Sequence, residues 1–533
     1  MNLHLEHLPA DAVGLEDASR RALAQGHHGG VAVARGLEEV PRPTDRHDPG
    51  VRALLAEEIG RGLAPFEPPG RALTSLEVLA RPGAFCVVTG QQPGFLGGPL
   101  YSLYKALHAC RLAGELSRSW GTPVVPVFWN HADDHDVAEV NHAWVLNRNL
   151  DLQRVGLAGV SSGRLPISRL VLEDEEHRLG ATRALLRGLW EEHAGVDAAL
   201  DLFHPRGGET LAGAFTRILT ELAGEHGLVV VEPDWIRTTL SRALAEIVVR
   251  DPVAPLVAGS GSSPTIDPLE AALVYHVDDL GRRALRAGGE GFRYDGEEGS
   301  RSADELAAEI VDAPEAWSAG ALLRPLVQDA VFPTCATVGG WGELAYHGQL
   351  GELRDACDLP RPPLVPRASC TIVEPEVRAG LAKIGTTVAA VLAAGGHFAP
   401  DEGAGGAGAP PVVAALEAEL DDLERRLLAH KGDVAAVEPA LGTGLERAVR
   451  QARGAVEKVV AKVDRVHRNR LGKGERTLRR LNHLLVPRSM PQERVLGPLG
   501  FTARWGRGWV EALYDELPPA GTEHLVVHLE EGA

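Results

Sequence analysis

The stretch from Val87 to His142 constrains the fold more than any other part of this chain. An apolar run, Phe85–Thr89, passes into a glycine-rich turn, Gly90–Gly98, and then into a helix opened by Pro99. A second apolar run, Val124–Asn130, empties into His131, Asp133, Asp134, His135 and Asp136. Short apolar runs bounded by turn residues suit strands covered on both faces. Strand, helix and strand make a β-α-β unit, and open α/β sheets bind ligands at the carboxyl ends of their strands. Both strands deliver polar groups at that end, so the pattern predicts an enzyme.

The alternation continues downstream. Gly227–Asp234 predicts a third buried strand followed by a helix over Trp235–Arg250, and Phe332–Gly340 a fourth, followed by a helix over Gly342–Cys357. Strands alternating with helices predict an α/β fold with a doubly wound parallel sheet. Residues 1–80 are expected to be mostly helical. Connecting segments interrupt the core at about 146–225, with helices over Glu173–Ala194 and Glu209–Glu225, and at about 251–330, which is rich in glycine and acids.

The last third differs in kind. Gly395–Pro411 has the composition of a linker. Val413, Leu416, Leu420, Leu423 and Leu427 step by threes and fours, as do Leu445, Val449, Ala452, Val456, Val459, Val463 and Val466. These are heptad seams. Gly432, Pro439, Gly442 and Gly444 separate them, which predicts an antiparallel coiled-coil hairpin over 412–485 whose second arm, about 24 residues, would reach about 35 Å. Such an arm buries its seam better in a larger bundle, so a homodimer through or near it is expected. The division is then a core over 1–394, a linker over 395–411, the hairpin, and a segment over 486–533 returning to the core.

Composition narrows the function. The 533 residues are 44% hydrophobic, with no apolar run long enough for a membrane span and no export pattern at the N-terminus. Five scattered cysteines without a CxxC pair fit reduced thiols in a cytoplasm. A net charge of −19 excludes general nucleic-acid binding. Residues 447–494 depart from it, with 14 Lys and Arg against four acids, and read as the solvated face of a helix.

Three groups of residues point to chemistry. Gly94, Gly97 and Gly98 allow a tight turn, Gln91 and Gln92 flank it, and free N–H groups at the helix start could hold an anion. Tyr101 and Lys105, four apart, share one face of that helix. At the second strand end, beside Trp129, His135 is the natural proton acceptor, with Asp134 or Asp136 to orient it. No HExxH pattern is present and no structural metal is expected, although a metal-dependent amide hydrolase using residues 131–142 stays open. Gly339 and Gly340 end the fourth strand, with Glu343 and Tyr346 on the helical turn after them. The glycine pattern is neither GxGxxG nor GxxxxGK[ST], so a nucleotide-binding or scaffolding protein also stays open.

Four stretches carry a resemblance: TGQQPGFLGGPLYSLYKAL (89–107), PVVPVFWNHADDHDVAEVNH (123–142), GGWGELAYHGQL (339–350) with PLVPRASCT (363–371), and LNHLLVPRSMPQERVLGPL (481–499). Together they resemble the cysteine-adding enzymes of bacillithiol biosynthesis. The resemblance implies a Rossmann core similar to class I aminoacyl-tRNA synthetases. It implies a ligase joining L-cysteine to glucosaminyl-malate through an amide, the last step to bacillithiol, with ATP and Mg2+ activating the cysteine carboxylate. Asp134, His135 and Asp136 match the family's acidic strand end, whereas His131 and Asp133 depart from it. The synthetase HIGH and KMSKS motifs are absent, and Trp341 stands where the family favours proline.

Overall fold

A computed structural model describes residues 2–9, 25–28, 31–160, 163–260, 264–288, 291–294, 300–395, 411–470 and 473–530. They fall into two compact units, Met1–Val373 with Pro491–Ala533, and Glu374–Met490.

The first unit is built on a five-stranded sheet. Its strands are β1 (Phe85–Gln91), β2 (Val124–Asn130), β3 (Val229–Val231), β4 (Thr334–Gly339) and β5 (Leu364–Pro366), in the order β5-β4-β1-β2-β3. Every neighbouring pair is parallel. From β1 the chain winds outward through β2 and β3, then returns to lay β4 and β5 on the other side. The order therefore reverses between β1 and β4, and that reversal opens a crevice at the strands' carboxyl ends.

Alternate side chains enter different layers. Cys86, Val88, Val127 and Trp129 pack with Leu55, Ile59, Leu240 and Leu244 from helices on one face. Phe85, Val87 and Val124 pack on the other with Ala109, Leu112 and Leu116 of α1 (Leu100–Trp120). A sheet covered on both faces needs apolar residues at every position, which is why its strands read as continuous apolar runs. Gly121 ends α1 in the left-handed conformation, φ +59°.

The flanks differ from expectation. Helices form at Pro49–Leu63, capped by Asp48, and at Gly70–Leu79, but Asn2–Leu8 is a strand. It pairs antiparallel with His524–Glu530, which runs parallel to Ser369–Val373. The helix expected over Glu173–Ala194 breaks at Arg178, φ +52°, into Asp174–His177 and Leu179–Leu189. The segment after 251 holds a four-stranded antiparallel sheet, with Gly291–Tyr294, Gly281–Gly288, Val274–Asp278 and Trp317–Ala319 side by side. Among the described residues no helix is long and apolar enough to cross a membrane.

The second unit is helical and starts earlier than residue 412, with Pro375–Ile384 and Val388–Ala393. Most of the expected linker, 396–410, lies outside the described residues. Pro411–Ala429 then packs antiparallel on Pro439–Arg470, a 32-residue helix rather than one of about 24. Gly442 and Gly444 do not interrupt it. The break falls at Glu438, which is extended (φ −158°, ψ 126°) because a residue before proline avoids the helical region. The seam is also rotated. Val449 and Val460 are buried, whereas Val459 is 55% exposed. Arg453 takes the place beside the seam expected for Ala452, held by Asp421 at 2.8 Å, Glu457 at 3.0 Å and Glu424.

Candidate functional site

The glycine-rich turn after β1 is a packing device. The N–H groups of Gly97 and Gly98 donate to the carbonyls of Gly94 and Phe95, and Leu100 N–H donates to Leu496 O at 2.8 Å. A Cβ on Gly94 would stand 2.5 Å from Gly98 Cα, and one on Gly97 3.2 Å from Phe203. These donors close the turn on itself and on distant segments, which corrects the expectation that they cradle an anion. The glycines are needed because φ is +87° at Gly97 and +67° at Gly98.

What the turn delivers is α1, and with it Lys105. The lysine is 2% exposed, and its Nζ donates to Gly90 O at 2.8 Å, Gln91 Oε1 at 3.1 Å and Glu343 Oε2 at 2.6 Å. Glu343 lies on α2 (Trp341–His347), directly after β4, and the same Oε2 accepts the Gly340 N–H at 2.8 Å. One ion pair thus spans the switch point and ties the first loop to the second. Burial lowers the Lys105 pKa, and Glu343 opposes that by favouring the charged form. Gly339 is close-fitting here, since a Cβ on it would meet Leu364 at 3.0 Å. Tyr101 stands beside this pair, with the Arg367 guanidinium 5.2 Å and Lys105 Nζ 5.9 Å from its ring centre. Arg367 is held in turn by Glu493 at 2.6 Å, a residue of the fourth resembling stretch.

The loop after β2 forms the second half of the crevice. Gln92 Nε2 donates to Asp134 Oδ2 at 2.5 Å, so this loop is also tied to the first. Asp134 Oδ1 accepts the backbone N–H of His135 at 2.7 Å and of Asp136 at 3.3 Å, and lies 3.6 Å from His135 Nδ1. Asp134 is therefore the carboxylate beside the His135 ring, while Asp136 is exposed. His135 Nδ1 also faces Arg282 Nη1 at 3.4 Å, and Arg282 lies over the Tyr275 ring at 3.7 Å. Burial first, and the Arg282 charge second, lower the His135 pKa by disfavouring the charged imidazolium. Trp129 is 2% exposed, with its ring edge-on to Phe332, and it borders a small cavity beside Asp133 and Arg237 beneath the crevice.

His131 and Asp133, which the sequence places in the strand-end cluster without a role, line this place, and so do Arg237 and Arg324, which sequence reasoning passed over. His131 sits against Gly90, where a Cβ would come 2.7 Å from its Nε2. Burial, then the Arg324 and Lys105 charges, hold its pKa well below the ordinary range. Asp133 pairs with Arg237, which also holds Asp234, at 2.5 Å. Arg324 donates to Tyr346 Oη at 3.1 Å and to Gln328 Oε1 at 3.2 Å. The proximity of His131 to β1 was signalled by its place at the end of a central strand; Arg282 and Arg324 lie in a segment without a readable period, and Arg237 opens a helix whose pattern gives no sign of Asp133. Among the described residues no group of three or more His, Cys, Asp or Glu side chains is placed to hold a metal ion.

The crevice thus combines a histidine with a carboxylate beside its ring, a buried lysine–glutamate pair, and several arginines, a set suited to proton transfer at a bound anion. Comparisons agree across the chain. The family description "Bacillithiol biosynthesis BshC, N-terminal Rossmann-like domain" matches residues 37–368, and "Bacillithiol biosynthesis BshC, C-terminal coiled-coil domain" matches 370–529. A protein of Koribacter versatilis named "Putative cysteine ligase BshC" is 32% identical over 488 residues, 86% of each chain. Proteins of the same name are 30% identical in Salinibacter ruber, over 86% of this chain and 85% of the relative, and in Solibacter usitatus, over 85% and 86%. A solved Campylobacter jejuni chain named "putative arginyl t-RNA synthetase" is 10% identical with a TM-score of 0.20, covering 86% of this chain and 98% of its own.

Proposed function

The chain belongs to the BshC family of bacillithiol biosynthesis, and from that premise we propose that this cysteine ligase joins L-cysteine to glucosaminyl-malate through an amide bond. The observation that carries the reading is the convergence of three loop ends, after β1, β2 and β4, on one crevice, locked by Lys105–Glu343 and Gln92–Asp134. In the reaction the sugar amine loses a proton and attacks the cysteine carbonyl carbon. A C–N bond forms, and the bond from that carbon to its activated oxygen breaks. His135 takes the amine proton on Nε2, with Asp134 beside its Nδ1. Tyr101, Gln91, Gly339 and Gly340 border the space where the acyl group would lie, and Lys105 with Glu343 holds its two walls together.

ATP with Mg2+ is the proposed energy donor; it would supply the phosphoryl or adenylyl group that turns one oxygen of the cysteine carboxylate into a leaving group. The glycine turn is not its cradle, because those N–H groups are already bonded. A metal-dependent hydrolase has less support, since its side chains are engaged differently: Asp133 holds Arg237 and Asp134 holds Gln92.

The test is mass spectrometry of the full chain incubated with cysteine, glucosaminyl-malate, Mg2+ and ATP, against a control without ATP. Bacillithiol should appear only with ATP. His135→Ala, folded as judged by circular dichroism, should lower the rate by about 10²–10⁴-fold. Bacillithiol formed at near wild-type rate by that variant would remove His135 from the mechanism.

A further inference from the structure

The crevice carries several cations, and most of them have a carboxylate. Lys105 has Glu343, Arg367 has Glu493, Arg237 has Asp133 and Asp234, and Arg282 has Asp134 at 3.9 Å. Arg324 is different. Its two described hydrogen bonds go to neutral groups, the Gln328 amide oxygen and the Tyr346 hydroxyl, and no carboxylate among the described residues lies within ion-pair distance.

Its position makes this an electrostatic feature of the crevice and not of the surface. Arg324 is partly buried, and Tyr346, whose hydroxyl it grips, is on α2 three residues beyond Glu343. It borders a small cavity with Asp133, Arg237 and Trp129, and the Trp129 indole N–H is buried without a partner. Asp133, the carboxylate bordering that cavity, is taken by Arg237. His131 is neutral, and Lys105 is already neutralised by Glu343. A half-buried guanidinium fixed by two neutral acceptors keeps unused donors and an uncompensated charge. Leaving it so is costly in the free protein and favourable only when an anion fills the place.

We propose that Arg324 is the anion anchor of the crevice, taking a carboxylate or phosphate group of the bound substrate on its guanidinium. Tyr346 and Gln328 fix the plane of that guanidinium, so that the anion meets a two-pronged donor rather than a mobile charge. This replaces the helix start after Gly98 as the site of anion recognition. The inference rests on the ligase reading for the identity of the substrate, but not for the existence of the anion site.

Calorimetric titration of the full-length protein with L-malate, and separately with inorganic phosphate, tests it without turnover. The wild type should bind at least one of them saturably, and Arg324→Gln should weaken that binding by about 10- to 100-fold, the worth of a charged hydrogen bond. Malate alone assigns the anchor to substrate carboxylates, and phosphate alone assigns it to a phosphoryl group. Arg324→Lys keeps the charge but not the fork, so its affinity should fall between the two, and it decides the matter if Arg324→Gln melts early. Affinity unchanged in either folded variant, or no binding of either anion by the wild type, overturns the proposal. A protein that binds malate through Arg324 yet makes no bacillithiol would leave the anchor standing and remove the ligase reading instead.

Discussion

At the scale of single residues, Glu232 is the most sensitive reporter of how the sheet's polar edge is buried. It follows β3 directly and is 4% exposed; its Oε1 accepts from Thr216 Oγ1 at 2.6 Å, and Thr216 accepts from Asn130 Nδ2 at 3.1 Å. Burial pushes its carboxyl from 4.5 up to about 7, against the Thr216 hydrogen bond. The folded state therefore holds the proton more tightly than the unfolded chain does. Its stabilising contribution is full below about 4.5 and is lost as pH rises through about 7. Glu232→Gln stays neutral throughout, so its stability relative to wild type should climb across that window. Urea denaturation at a series of pH values measures this, and a difference that stays flat would show that Glu232 is not protonated in the native state. Nothing in GLVVVEPD marked Glu232 for this, because the run shows where the strand lies but not that Thr216 and Asn130 close over its end.

At the scale of elements, the sequence reading succeeded where one rule dominates and failed where distant segments decide. The core strands were legible because burial on both faces demands unbroken apolar runs. The glycine turn was located correctly but its purpose was not, since Phe203 and Leu496, which close it, are far off in sequence. The Lys105–Glu343 bridge joins residues 238 apart and leaves no local pattern. In the coiled coil, two apolar stripes one residue apart compete, and the polar anchor Arg453 settles which one faces the partner helix. The turn gives the sharpest prediction here. Gly94→Ala would set a methyl group against Gly98 backbone that cannot yield without opening the turn. We expect a loss of about 2 kcal/mol, read as a lower urea midpoint with an unchanged slope. A neutral result would mean that the Gly94–Gly98 approach is looser than described.

At the scale of the whole molecule, the expectation of a homodimer remains a proposal. Leu423, Leu441 and Val459 of the hairpin are 43%, 46% and 55% exposed, a larger apolar display than the hairpin's own seam accounts for. Sedimentation equilibrium should find a dimer, and Leu423→Glu with Val459→Glu should convert it to monomer without loss of helix content. A wild type that sediments as a monomer at every concentration would end that reading.

The strand His524–Glu530 lies between Asn2–Leu8 and Ser369–Val373, so segments far apart in sequence share one ladder. During synthesis the first strand leaves the ribosome more than 500 residues ahead of its partner. At typical elongation rates it waits roughly 25–100 s with an unsatisfied edge. Its His4, Glu6 and His7 are polar side chains of the kind that keep an unpaired strand edge from aggregating.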